Sequence, residues 1–290
     1  MNTGTLSPTS IPGYRPPAAE RAADWLRELG VFTLIAVILL PILWIVITAF
    51  KVPRDVYSLD AALWFTPTLE NLRTVFQHPW NLGSKIVNSV LVAGGTVLLA
   101  IPMATMAAYA FSRYDFRFKQ AIFLTVIASQ FIPAAIVVLP YFLMFKQLGL
   151  LDTRTALVLI NLSIVLPYAV WMIKGFIDAV PLEIEESAQV DGASRARVIV
   201  EIVVPAALPG IITAAVFSFT LTWNEFLFAL ILGKQNALTL PIGLIGFRTE
   251  RGDLWELMAA GGILITAPMF LLSLLVHKQF VGSLTAGSVR

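Results

Sequence analysis

Long apolar stretches separated by shorter polar ones set the pattern of this 290-residue chain. A membrane-spanning helix needs about 20 mostly apolar residues. Six stretches qualify: residues 31–50, 86–111, 121–145, 156–176, 206–232 and 254–276. In hydrocarbon every backbone amide must find its partner inside its own segment, so these stretches predict helices. The period-two alternation of a membrane barrel is missing. Pro133 and Pro140 interrupt the hydrogen-bond ladder of the third stretch, which predicts a kink or deep packing among neighbours. The predicted fold class is an all-α polytopic membrane protein with six transmembrane helices.

Residues 1–27 are polar, with prolines at Pro8, Pro12, Pro16 and Pro17. They read as a flexible tail that ends in a short amphipathic piece around Arg21, Trp25, Leu26 and Arg27. They do not read as a cleavable leader: the apolar run starts late, is long, and no small-residue cleavage site stands out. Three connections are long, at residues 51–85, 177–205 and 233–253, and the second is the most polar interior stretch. The short loop at residues 112–119, with Arg113, Arg117 and Lys119, is the clearest marker of orientation. It predicts cytoplasmic N- and C-termini by the excess of positive charge on that side.

Composition supports lipid as the solvent. The chain is 58% hydrophobic and 13% charged, with a mean hydropathy of +0.81. Soluble domains carry about 25% charged residues. A net charge of +2 with scattered basic residues argues against nucleic-acid binding. There is no cysteine, and the two histidines, His78 and His277, are far apart, so no metal site is expected. No phosphate-cradling Gly-x-x-x-x-Gly-Lys run is present, so the chain is not itself an ATPase.

The 177–205 connection carries the most specific pattern. Pro181 can open a helix, and Glu183, Glu185 and Glu186 fall in its first turns, favourable against the helix dipole. Asp191-Gly192 marks a turn, and Ser194 can cap a second helical piece that runs towards Pro205. The outcome is a compact knob at the membrane face, in which Ala188 and Val190 with ionic Glu186 suit a groove on a partner protein.

Glu186-Ser187-Ala188, then Gly192, then Ile202-Val203-Val204-Pro205 resembles the "EAA" loop of binding-protein-dependent ABC importer permeases. That pattern is Glu-Ala-Ala, three residues, Gly, nine residues, then Ile-x-Leu-Pro. Ser187 and Val204 depart from it, both conservatively. Thr68-Leu69-Glu70-Asn71-Leu72 and Thr222-Trp223-Asn224-Glu225-Phe226 are similar to these permeases, and the ending from Phe280 resembles the tail of the second permease of carbohydrate-uptake systems of the maltose-transporter type. The resemblance implies a type-1 importer permease core over residues 84–277, preceded by a first helix and extracytoplasmic loop at 28–83. A cytoplasmic tail at 278–290 follows. It also implies partners: a sister permease, two ATP-binding subunits and an extracytoplasmic solute-binding protein, within a bacterial inner membrane. ATP and Mg would sit on the partner ATPase, and this chain would hold no cofactor. The implied ATPase-coupling residues are Glu186, Ser187, Ala188, Asp191, Gly192, Ala193 and Pro205, with Glu186 facing a basic residue of the ATPase. Leu284, Thr285 and Gly287 of the tail would reach between the ATPase subunits.

Candidates for a sugar path lie within the spans, where polar side chains are costly and tend to face the bundle interior or a water-filled route. They are Asn224, Trp223, Glu225, Gln130 and Asn161. Polar groups in spans also simply join helices. Successive helical residues point about 100° apart, so 223, 224 and 225 cannot all face one cavity. Asn224 is the expected lining residue, with Glu225 bonded to a neighbouring helix. An ion-coupled secondary transporter is the alternative; it would need intramembrane ionisable groups, and Glu225 is thin support. A membrane-embedded enzyme would need paired acids or histidine clusters, which the spans lack.

Overall fold

The computed structural model describes residues 18–250 and 252–286. Four helices are long and apolar enough to cross a membrane, and two bent pairs bring the total to six. The first is α1 (Ala18–Ala49). It begins well before residue 28, so the amphipathic piece around Trp25 is continuous with the span; residues 1–17 lie outside the described part. Two short helices, α2 (Pro53–Val56) and α3 (Glu70–Thr74), occupy the first long connection. The second span is α4 (Leu82–Arg113).

The third span is broken. α5 (Lys119–Ala128) and α6 (Ala134–Gln147) meet at 97°. Pro133 stands at the break, immediately before α6, whereas Pro140 is accommodated inside α6. The proline at the junction has no N–H to continue the ladder and disfavours helical backbone before it. α7 (Arg154–Asp178) is the fourth span and is unbroken. Thr153 caps it, its hydroxyl accepting the Ala156 N–H at 3.2 Å.

The second bent pair joins Arg195–Ala206 to α11 (Leu208–Trp223) at 75°. The predicted fifth stretch is also interrupted at 224–226, after which α12 (Leu227–Leu232) follows. A short helix, α13 (Leu240–Ile245), and a two-stranded hairpin, β1 (Arg248–Thr249) with β2 (Gly252–Asp253), lead to α14 (Trp255–Ala286). The tail expected after residue 277 is thus helical through Leu284 and Thr285. Gly287 lies outside the described residues.

α4, α7 and α11 form the centre. Ala93, Ala100, Ala104 and Ala108 of α4 are fully buried, as are Ala156 and Ala169 of α7 and Ala214 of α11. Lipid gives no hydrophobic drive between helices, so association relies on close backbone approach, and small residues permit it. Gly210 of α11 is the tightest instance: a Cβ there would lie 2.1 Å from the Phe176 ring. Gly95 meets Val158 less severely, at 3.3 Å, and Gly94 has open space. By contrast α1 packs chiefly on α14 and leaves its apolar side chains exposed.

Candidate functional site

α7 ends at Asp178, which joins Lys174 at 2.6 Å and accepts the Ser112 hydroxyl at 2.5 Å. After Pro181 the chain turns into α8 (Leu182–Val190). Glu185, in the first turn of α8, points inward and is 1% exposed. The Arg113 guanidinium, at the end of α4, meets it at 2.6 Å, and the Tyr109 hydroxyl donates to its other oxygen at 3.0 Å. Arg113 also donates to the carbonyls of Ile177 and Val180, at 3.0 and 2.7 Å. One arginine thus ties α4 to α8 and to the end of α7, with the carboxylate satisfied on both oxygens. Burying two charges is costly unless the geometry is this complete, and removal of one partner from such a pair costs about 3–5 kcal/mol.

The turn after α8 has a full Schellman closure. The Ala193 N–H donates to the Ala188 carbonyl and the Gly192 N–H to that of Gln189, both at 3.0 Å. Gly192 has φ +87. A left-handed residue at this position is the structural reason for glycine. Conformation rather than crowding sets the requirement, since a Cβ there would meet nothing within 4 Å. Ser194 then caps α9 (Arg195–Val198), accepting the Arg197 N–H at 3.3 Å. A π-helical turn, Ile199–Val203, follows, then α10 (Val204–Ala206) with Pro205 in it. A 75° bend leads into α11.

The knob therefore has two faces. Ala188 and Ala193 pack against the buried cluster of α4, α7 and α11. Ala188, expected to face a partner groove, is half-buried on this inner side. The outward face holds Glu186, Leu182, Ile184 and Val190, the last 87% exposed. Ser187 is also on the surface, its hydroxyl bonded to the Glu183 carbonyl at 2.8 Å, and Asp191 is exposed at the turn. Sequence reasoning passed over Glu185, Arg113 and Tyr109 as a unit. The available signal was Glu185-Glu186: adjacent helical positions point about 100° apart, so the two carboxylates face different surroundings.

The residues expected along a sugar path are dispersed. Trp223 is 1% exposed and its indole N–H donates to the Ile265 carbonyl at 3.0 Å. Its ring stacks on Phe219 inside the core, so it presents no face to a cavity. Asn161 is 2% exposed and donates to the Leu157 carbonyl within its own helix at 2.8 Å. Glu225 does not bond a neighbouring helix: it accepts the N–H groups of Phe228 and Ala229, at 2.7 and 3.1 Å, and closes the first turn of α12. Asn224 is exposed at the break, with its amide bonded to the Thr220 carbonyl at 2.8 Å. Gln130 lies in the bend between α5 and α6, on a cavity.

The opposite end of the bundle is fastened by Asp152. Its carboxylate accepts the backbone N–H groups of Lys234, Gln235, Asn236 and Ala237 at 2.8–3.1 Å. Partial burial alone would raise its pKa, but these four donors hold the carboxyl down at about 2. Beside it the Asn88 amide donates to the carbonyls of Asn236 and Leu238, while Arg154 donates to Asn88 at 2.7 Å. The starts of α4 and α7 are thereby joined to the 233–240 loop.

Residues 100–283 match the family of binding-protein-dependent transport system inner membrane components. The chain belongs to this family. ABC transporter permeases are similar to it over most of its length. It is 33% identical over 254 residues to a probable ABC transporter permease, y4oR, of Sinorhizobium fredii, covering 88% of this chain and 91% of that one. It is 30% identical to the diacetylchitobiose uptake system permease DasC of Streptomyces coelicolor, over 86% of this chain and 91% of the relative. It is 31% identical to the trehalose transport system permease SugB of Mycobacterium tuberculosis, with 87% and 92% covered. Its fold is that of a chain in a bacterial ABC transporter that imports the acidic polysaccharide alginate: TM-score 0.78, 17% identity, 91% of this chain and 99% of that one. The chain is a multi-pass inner-membrane permease with the type-1 fold.

Proposed function

We propose that this permease forms half of the translocation path of an ATP-driven importer for a sugar or sugar-like solute. Its partners are a sister permease, two ATP-binding subunits that hold ATP and Mg, and an extracytoplasmic solute-binding protein. The relatives named for trehalose and diacetylchitobiose uptake support the sugar class, and nothing in the comparisons supports ion-coupled transport. The observation that carries the coupling role is the anchored knob. Its inner face is bolted to three spans through Glu185, Arg113, Ala188 and Ala193, and its outer face is left open around Glu186 and Val190. Such an element passes a push on its outer face directly to α4, α7 and α11. The ATPase docks there, Glu186 meets one of its basic residues, and both chain termini lie on that cytoplasmic side, where Leu284, Thr285 and Gly287 reach the ATPase.

The test is ATP hydrolysis by the assembled transporter with loaded binding protein. Glu186→Lys is expected to abolish stimulation while the complex still inserts, because it places a cation against a cationic partner. Full stimulation in that variant would refute the assignment.

A further inference from the structure

A cavity of about 590 Å³ lies between α1 and α14 and is lined mainly by apolar groups such as Trp44, Ile45 and Met258. A smaller one has the chemistry of a binding site. It measures about 430 Å³ and lies where the α5–α6 bend faces the α11–α12 region. Gln130, Tyr141, Ser163 and Tyr168 line it with Leu221 and Phe228. That volume falls within the range of about 300–1,000 Å³ typical of small-molecule sites. Non-helical backbone at membrane depth is stable only where it is buried in protein or borders a water-filled space. The bend at Gln130 and Pro133 borders this cavity.

Gln130 and Tyr168 keep free hydrogen-bonding capacity, while Ser163 donates its hydroxyl proton to the Ile160 carbonyl at 2.7 Å and keeps its lone pairs. Tyr141 and Ser163 touch at 3.2 Å across α6 and α7. Gln130 makes a weak 3.5 Å contact to Ser129, and the Tyr168 hydroxyl has no hydrogen-bond partner among the described residues. Tyr141 is held upright by Phe145 and Phe228, with ring centroids 6.2 Å away in each case, and Tyr168 packs edge-on to Phe217 at 5.8 Å. Hydroxyl and amide groups can both donate and accept, matching a polyol, and an aromatic ring offers its face to the C–H side of a pyranose. No charged side chain lines the cavity. An anionic solute would lose its hydration there with no counter-charge, which is strongly unfavourable.

We infer that this cavity is a contact site for an uncharged carbohydrate on its way through the membrane, with Tyr141, Ser163, Gln130 and Tyr168 as its hydroxyl partners. The inference rests on the importer reading above and assigns its solute class. It sets this chain apart from a path for acidic sugars.

The chain has no cysteine, so a single Ser163→Cys can be followed by mass in the assembled transporter. We expect a small water-soluble maleimide to label it, and saturating maltose or trehalose with binding protein and ATP to slow labelling at least threefold. A uronic-acid disaccharide should not protect. In proteoliposomes, Tyr141→Phe and Gln130→Ala are each expected to raise the KM for neutral disaccharide uptake about three- to tenfold, the weight of one hydrogen bond. A wild-type complex whose ATP hydrolysis is stimulated by loaded binding protein but which shows none of these effects separates failure of this site from failure of the importer reading. Absence of labelling in every nucleotide state would place the sister permease's side chains in the cavity and overturn the inference. So would protection by the uronate alone, or an unchanged KM in the Gln130→Ala/Tyr141→Phe/Tyr168→Phe variant.

Discussion

Arg113 and Glu185 meet at 2.6 Å, with the carboxylate side chain 1% and the guanidinium 12% exposed, although one ends a spanning helix and the other opens the knob 72 residues later. The pair makes the knob an extension of α4. Its strength lies in completeness: Tyr109 and the carbonyls of Ile177 and Val180 occupy the remaining valences.

Removal of one member leaves the other buried and unpaired. Glu185→Ala or Arg113→Ala is expected to cost about 3–5 kcal/mol. Thermal unfolding of the purified complex, together with a double-mutant cycle, measures this. A double variant no worse than either single one is the expected signature of direct coupling. Glu186→Ala, on the open face, should leave unfolding unchanged and affect ATP hydrolysis alone.

Gly192 offers a second discrimination. Its left-handed backbone costs an L-residue about 1–2 kcal/mol, whereas the space around it is open. Gly192→Asn is therefore expected to retain most ATPase stimulation, since asparagine tolerates that conformation. Gly192→Val should lose it with normal membrane insertion. Equal loss in both would mean that a partner surface, not the turn, demands glycine.

Asp152 gives a pH-dependent prediction. Its folded pKa, about 2, lies below the ordinary carboxylate value of about 3.9. A depressed folded pKa contributes stability that is present above the unfolded value and is lost as pH falls through the folded one. Thermal stability of the wild type should thus fall between about pH 5 and pH 2 by more than that of Asp152→Asn. At pH 7 the variant should be the less stable of the two. Parallel acid profiles for both proteins would remove Asp152 as the fastening of the 234–237 loop.

Several features were legible in the residues alone. The apolar lengths located the four continuous spans and the regions of the two that the structure breaks, because lipid demands internal hydrogen bonding. Pro181, Gly192 and Ser194 marked the borders of the knob, because caps and left-handed turns are local properties of a few adjacent residues. The spacing from Glu186 to Pro205 carried the family. Trp223, Asn161 and Glu225 were harder to place. A polar or aromatic group inside a span can face a path, a neighbouring helix or its own backbone, and the three look alike in one dimension.

The sequence by itself determined that this protein lives in a membrane, that its helices lie where they do, and that a helix–glycine–helix element projects from it. Those features depend on hydropathy, backbone conformational preference and contacts within a few residues. Only the tertiary structure decided that Glu185 rather than Glu186 is the anchor, that Asp152 fastens a loop 82 residues further on, and that Tyr141 and Ser163 share a cavity with Gln130. Each of these depends on which faces of distant helices meet. That choice is made by the close packing of small residues along α4, α7 and α11, a three-dimensional fit that no local pattern encodes.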